Sequence, residues 1–290
     1  MSYKVKGHKL YDSDDKINHL DTKKKSRGAM KPKYLVMHYT ASDNFEGDVR
    51  TLSTASTQAS CHLVLSPEGE ITQIGKFTDV LWHAGKSKWK NISGLNRYSI
   101  GIEVTSPGPV EKVDGGFKTW YGKIAKSDYN YVFAKHKNGG RKKYWAGFTD
   151  KQIEVLKELV PFLMKAYKLD DVLGHDDISP LRKQDPGPCM PDELWDFFKG
   201  RDADTDDEVE EASNVTSIEE EKSEGKFIVT LPDEDDSLNV RRSPGGDKIG
   251  KVYHNLVVDV LKTQGNWSFI KTPGGYKGWV YSSYLMNYTD

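Results

Sequence analysis

Residues 34–39 read YLVMHY, an apolar run closed by a histidine, and residues 98–106 read YSIGIEVTS, alternating around Gly101 and Glu103. Runs of this length, apolar or alternating and bounded by polar turns, are read as short strands. CHLVLS at 61–66 has the same character, and EGEITQIG at 68–75 adds a glycine-containing turn and a further strand. Working outward, Phe148 is followed by a helical pattern. Thr149 is placed to cap it, Gln152 occupies the reciprocal capping-box position, and Ile153, Leu156, Leu159, Val160, Leu163 and Tyr167 form one apolar stripe. Strands interleaved with such a helix specify an α/β fold, a mixed central β-sheet flanked by helices.

Pro161 is expected to bend or interrupt that helix, because it lacks a donor and crowds the preceding turn. Residues 49–60 are read as another helix, leading into CHLVLS. Residues 107–147, rich in Gly, Lys and aromatics, are expected to form a long surface excursion bordering a groove. Within it, Trp120, Tyr121, Tyr144 and Trp145 suit either groove contacts or a core for the insertion.

The 290 residues carry 42 basic and 43 acidic side chains, a formal charge of -1 that conceals opposed parts. Residues 201–225 hold eleven acidic and two basic side chains and no aromatic, a composition that cannot repay the entropy of ordering a core and is read as a flexible acidic linker. It separates residues 1–200, net +7, from residues 226–290, net +1. The basic larger part favours an anionic polymer. No base-reading motif accompanies it, so no nucleic-acid partner is expected. Cys61 and Cys189 cannot make a dense disulfide framework, and no stretch approaches the roughly 20 apolar residues of a membrane span, so no transmembrane anchor is expected.

The chemistry starts at His38 and resumes at 174–188, GHDDISPLRKQDPGP, with His175, Lys183 and Asp185. Two neutral imidazoles and one carboxylate make a three-ligand set for zinc with a fourth position open to water or substrate. Spacing alone leaves other readings open: a satisfied strand-end histidine at 38, a helix-exit contact at 175, and a turn organised by Asp185 before Pro186.

In order, YLVMHYTAS, SCHLVLSPEGEITQI, VLWHAG, RYSIGIEVTS, FTDKQIEVLKELVPFL and GHDDISPLRKQDPGP resemble the type 2 N-acetylmuramoyl-L-alanine amidases, a zinc family that includes phage endolysins, anhydro-muropeptide amidases and peptidoglycan-recognition proteins. The resemblance covers roughly residues 30–195. It implies Zn2+ held by His38, His175 and Asp185, and cleavage of the amide joining the lactyl group of N-acetylmuramic acid to L-alanine. It implies Glu103 as general base and proton donor, and Lys183 as the electrostatic partner of the developing oxyanion. His62 and His83 then border the cleft as substrate contacts or support for the ligands, and Trp82 is either an aromatic wall or packing beneath the floor. Cys189 is expected to pack nearby without ligating.

In the last part, LNVR, GNWSFIKT and GYKGWVYSSYL resemble a bacterial SH3-type wall-binding domain, a small all-β barrel over about residues 226–287. Trp267, Trp279 and Tyr281 are core or recognition residues, with packing the preferred reading for the two tryptophans. The resemblance implies peptidoglycan as partner, with wall peptide bridges contacted through the C-terminal domain. The first twenty residues lack the apolar run of a secretory signal. A modular endolysin made in the host bacterial cytoplasm, acting in the periplasm or wall after holin-dependent release or injection, is therefore expected. The competing readings are a bacterial autolysin or injected wall toxin with the same chemistry, and a peptidoglycan-recognition protein that binds without cutting.

Overall fold

A computed structural model describes residues 3–14, 16–54, 57–197, 225–233, 237–272 and 277–288. The expected linker at 201–225 lies outside the described residues, except for Gly225. The chain divides into two compact units, one of residues 1–134, 142–179 and 183–201 and the other of residues 135–141, 180–182 and 202–290.

The first unit contains the expected mixed α/β arrangement. The strands of its two larger sheets are β1 (Asn18–His19), β2 (Tyr34–Tyr39), β3 (Leu63–Leu65), β4 (Ile71–Gln73), β5 (Ser99–Val104), β6 (Gly108–Val113), β7 (Gly116–Thr119), β8 (Tyr131–Ala134), β9 (Lys143–Ala146) and β10 (Asp171–Gly174), and short two-stranded ribbons accompany them. Its principal helices are α1 (Phe45–Ser53), α2 (Asp150–Tyr167) and the single turn α3 (His175–Ile178). Six strands form one sheet in the order β10-β2-β5-β3-β4-β1. Its middle is parallel, with β10, β2, β5 and β3 running together, and only the β3–β4 hairpin is antiparallel. A parallel pair needs a long crossover, and α2 supplies the one before β10.

The helix α2 packs on one face of this sheet. Leu156, Leu159, Val160 and Leu163 join Leu35, Met37, Ile100, Ile102 and Val104 in the main apolar cluster. The Thr149 hydroxyl accepts from the Gln152 amide, and Gln152 Oε1 accepts from the Thr149 amide, closing the expected capping box. Of the bend or interruption expected at Pro161, the interruption does not occur, and the helix is continuous from Asp150 to Tyr167. Pro161 cannot donate to the Lys157 carbonyl, but Lys157 and Glu158 lie on the exposed side, where water can take that acceptor, while the buried stripe holds the turn on either side.

The other helix begins earlier than residues 49–60. Asn44 accepts from the Gly47 amide as its cap, and α1 ends at Ser53, with the Thr54 hydroxyl bonded back to the Arg50 carbonyl. In the excursion at 107–147, whose local elements the sequence leaves open, β6, β7, β8 and β9 form a four-stranded antiparallel sheet in the order β7-β6-β9-β8. It has its own small core of Val110, Tyr129 and Ala146, flanked by Phe117, Tyr131 and Tyr144. Trp145 is fully buried in the main core, whereas Trp120 is 74% exposed. The two tryptophans thus have opposite surroundings.

The second unit is the expected all-β one. Its strands are β11 (Gly225–Val229), β12 (Ser237–Arg241), β13 (Lys248–Tyr253), β14 (Val257–Gln264), β15 (Trp267–Lys271), β16 (Lys277–Tyr281) and β17 (Leu285–Asn287), in the order β13-β12-β16-β15-β14-β11-β17. Its core is Val240, Val252, Val258, Val260, Ile270 and Val280 with their neighbours. Trp279 is buried, in line with the packing preference, and Trp267 is half-buried, although neither joins the cluster around Val240. They alternate with Ile270 and Val280 and so lie on the opposite face, in register with Tyr281 and Phe269 respectively.

Candidate metal centre

The apolar strand β2 delivers His38 at its end, on the face away from α2. Parallel register then places Gly174 of β10 opposite Met37, so His175, the next residue, arrives beside His38. On the other side of β2, register sets Glu103 of β5 opposite His38. Neighbouring strands lie about 4.8 Å apart, so a histidine and a carboxylate far apart in sequence share one face of the sheet. Asp185 is brought in by the segment after α3, where the Asp176 amide donates to the Asp185 carbonyl at 2.8 Å.

His38 Nδ1 lies 2.9 Å from His175 Nδ1 and 2.9 Å from Asp185 Oδ2, and His175 Nδ1 lies 2.9 Å from the same oxygen. All three residues are buried. Zinc bonds of about 2.0–2.1 Å in a tetrahedron hold such donor atoms roughly 3.3 Å apart, so this triangle fits the ion after a small expansion. The donor set, two imidazoles and a carboxylate, is also one that zinc accepts in open sites. Burial, and then the neighbouring His175, push the His38 imidazole down to about 4, which keeps it neutral and able to ligate. Burial alone would raise the Asp185 carboxyl, but the imidazoles of His175 and His38 outweigh it and hold the group well below its ordinary range.

Glu103 is partly exposed as a residue, yet its Oε2 is enclosed and has no hydrogen-bond partner among the described residues. Burial, and then the charges of Asp185 and Asp48, push its carboxyl well above the ordinary range, against the pull of Lys183. Lys183 is half-buried, and its cation also disfavours the charged form of His38, so its field reaches the centre.

The remaining sequence-selected residues divide. His83 is buried with Nδ1 3.1 Å from His38 Nε2 and Nε2 3.1 Å from the Ser99 carbonyl. His62 is fully buried behind it, where its Nδ1 accepts from the Gly101 amide and its Nε2 faces the Asp79 carbonyl. Burial pushes His62 down to about 4. Its ring nitrogens are engaged with backbone, and it forms no part of the donor triangle. Trp82 is half-buried and turned the other way, with its indole N–H donating to Ser26 Oγ on Lys25–Ala29. Cys189 is buried, and burial raises its thiol far above its ordinary value. Sequence reasoning missed Asn96, whose Oδ1 accepts from the amides of both His83 and Ala84. It also left unused a signal at Gly101: a glycine inside a strand marks close approach, here by the His83 ring.

Trp120 holds its ring in solvent while its indole N–H donates to the Ala41 carbonyl, three residues beyond His38. Tyr121 packs against it edge-on.

Known proteins match this arrangement in sequence. The E. coli amidase AmiD is 32% identical over 182 residues, which is 59% of this chain and 55% of that protein. The 1,6-anhydro-N-acetylmuramyl-L-alanine amidase AmpD of Haemophilus influenzae is 32% identical over 133 residues, 45% of this chain and 53% of that protein. This chain therefore spans about half the length of the curated relatives it matches. A solved complex of E. coli AmiD with anhydro-N-acetylmuramic acid-L-Ala-D-gamma-Glu-L-Lys aligns with a TM-score of 0.44 at 28% identity, covering 67% of this chain and 65% of that one. Residues 236–286 match the bacterial SH3 domain. Residues 28–188, which carry β2, β5, α2, β10 and every residue of the donor triangle, match the N-acetylmuramoyl-L-alanine amidases, and the chain belongs to that family.

Proposed function

We propose that this chain is a zinc-dependent endolysin that hydrolyses the amide between the lactyl group of N-acetylmuramic acid and L-alanine in peptidoglycan. The observation that carries the reading is the convergence of His38, His175 and Asp185 into one buried donor triangle with Glu103 in register beside it. A peptidoglycan-binding protein without catalysis has no need of that full set.

His38, His175 and Asp185 would hold the zinc, which when bound polarises the scissile carbonyl and makes water more acidic. Glu103 takes the proton from the attacking water on its enclosed carboxylate and returns it to the departing nitrogen as the C–N bond breaks. Lys183 supplies positive charge beside the carbonyl oxygen, favouring the charged transition state over the neutral amide. Trp120 offers a ring face to the sugar or peptide flanking the bond.

The barrel is proposed to hold the wall. Beside its core, Trp267 packs against the exposed Tyr281, and Phe269 packs against the buried Trp279, with Lys262 over the rings of Phe269 and Trp279 and Arg241 over Trp267. Flat rings and cations suit a polymer of sugars and carboxylate-bearing peptides. Residues 201–225 would then act as the tether that makes the second encounter with one wall effectively intramolecular. Synthesis in a host bacterium and release through a holin belong to the same proposal.

The deciding experiment digests purified peptidoglycan with metal-loaded and chelated protein and weighs the products. Muramoyl lactyl carboxylates matched by new L-alanine amino termini, lost on chelation, are expected; only reducing sugar ends or internal peptide cuts would overturn the assignment. Tyr281→Ala should weaken sedimentation with intact walls while leaving hydrolysis of a soluble muropeptide unchanged.

A further inference from the structure

The segment that carries His83 touches both metal histidines. The His83 ring meets His38, and the carbonyl of the next residue, Ala84, lies 3.2 Å from His175 Nε2. A carbonyl oxygen only accepts, so His175 Nε2 carries the proton and its Nδ1 presents a lone pair to the triangle. The same logic runs through two rings on the other side. The Ser99 carbonyl requires a proton on His83 Nε2, which leaves His83 Nδ1 as an acceptor; that acceptor in turn requires a proton on His38 Nε2 and leaves His38 Nδ1 bare.

The segment is itself fixed from behind. Asn96 Oδ1 accepts from the His83 amide at 3.1 Å and from the Ala84 amide at 2.7 Å. Gly101 lets the His83 ring approach β5 closely, since a Cβ there would stand 2.6 Å from the ring. Every contact in this chain is backbone to ring, ring to ring, or amide to backbone, so its direction is set by the fold.

We infer that His83 and Ala84 form a strut, clamped by Asn96, that fixes both metal histidines as Nε2–H tautomers with Nδ1 turned to the ion. These are positioning residues that act through His38 and His175. The inference deepens the proposed function, because it presupposes that the triangle binds zinc. Partners of this kind typically contribute about 10–100-fold to metal affinity.

The test measures zinc affinity of the full chain by competition with a chromophoric chelator, together with long-range 1H–15N spectra that report imidazole tautomers. Asparagine at position 83 would place an oxygen near the position of the ring Nδ1, so His83→Asn keeps the acceptor and His83→Leu removes it. His83→Leu should lose about 10–100-fold in zinc affinity and show His38 as mixed tautomers, while His83→Asn stays within about threefold of wild type. Asn96→Ala should lose affinity, and Asn96→Asp, which keeps an acceptor, should recover most of it. Should His83→Leu fail to fold, the Asn96 pair decides alone. Folded His83→Leu or Asn96→Ala with wild-type affinity and an unchanged His38 spectrum would overturn the strut. Wild-type protein that binds no zinc would overturn the proposed function with it, whereas a zinc-binding chain that cuts a different bond would leave the strut standing.

Discussion

On β2, Leu35 and Met37 face α2 while Val36 and His38 face the other way, and on β5 Ile100, Ile102 and Val104 share the helix side while Ser99, Gly101 and Glu103 share the histidine's side. Strand geometry separates the two sets by a single residue. The helix side is a volume to be filled, where apolar side chains of similar size exchange at low cost. The opposite side is a set of atoms that must face one another, where a side chain of equal size with the wrong donor fails. Stability and chemistry are therefore written on alternate residues of the same strands.

The sharpest way to break that comparison is to damage each face and ask whether the effects stay apart. Asp185→Ala should cost more than about 100-fold in zinc affinity, exceeding the loss expected for an outer partner, and take turnover with it, as read by equilibrium dialysis and product release. Glu103→Gln should lower turnover by about 10²–10⁴ with zinc content and unfolding midpoint unchanged, and loss of the metal would contradict its role. Leu156→Ala, on the fully buried helix side, should cost about 2–5 kcal/mol in urea unfolding while the folded fraction keeps its zinc affinity. If Leu156→Ala lowered zinc affinity in folded protein, the two faces would not be separable.

Acidification tests the polar side alone. Burial holds His62 at about 4, whereas an unfolded histidine takes its proton near about 6.5. The contribution of His62 is thus fully present above about 6.5 and lost as pH falls toward about 4, on the order of 3 kcal/mol for this one group in metal-free protein. His62→Gln should flatten the stability curve across that interval, and an unchanged slope would show the protonation lies elsewhere. Smallest, Thr149→Ala should cost about 1 kcal/mol by removing the cap of α2, with turnover unaffected.

Much of the helix side was legible because periodicity encodes it. The stripe of α2, its Thr149 and Gln152 cap, and the apolar runs at 34–39 and 61–66 all stand as read, since each depends on neighbours a few residues apart. The inserted sheet was less legible, because Gly, Pro and charged residues mask the alternation in GPVEKV. An Asp-Gly pair at 114–115 between β6 and β7 was the available hairpin signal. The start of α1 was missed for a similar reason, as Asn44 outweighs the apolar count that favoured residue 49. On the polar side the donor triangle was picked out by family resemblance. Neither spacing nor periodicity brings His38 to His83, or Asn96 to the backbone behind it, because those contacts exist only once β2, β5 and β10 are in register.

That dependence on register has a temporal side. His38 and His175 are 137 residues apart in the chain, and β10 is the edge strand that closes the sheet against β2. Local elements such as the β3–β4 hairpin and α2 can form from nearby residues, but the last edge must wait for a long loop to close. During synthesis the donor triangle stays incomplete until residue 185 has left the ribosome, so a nascent chain has its scaffold before it has the cluster.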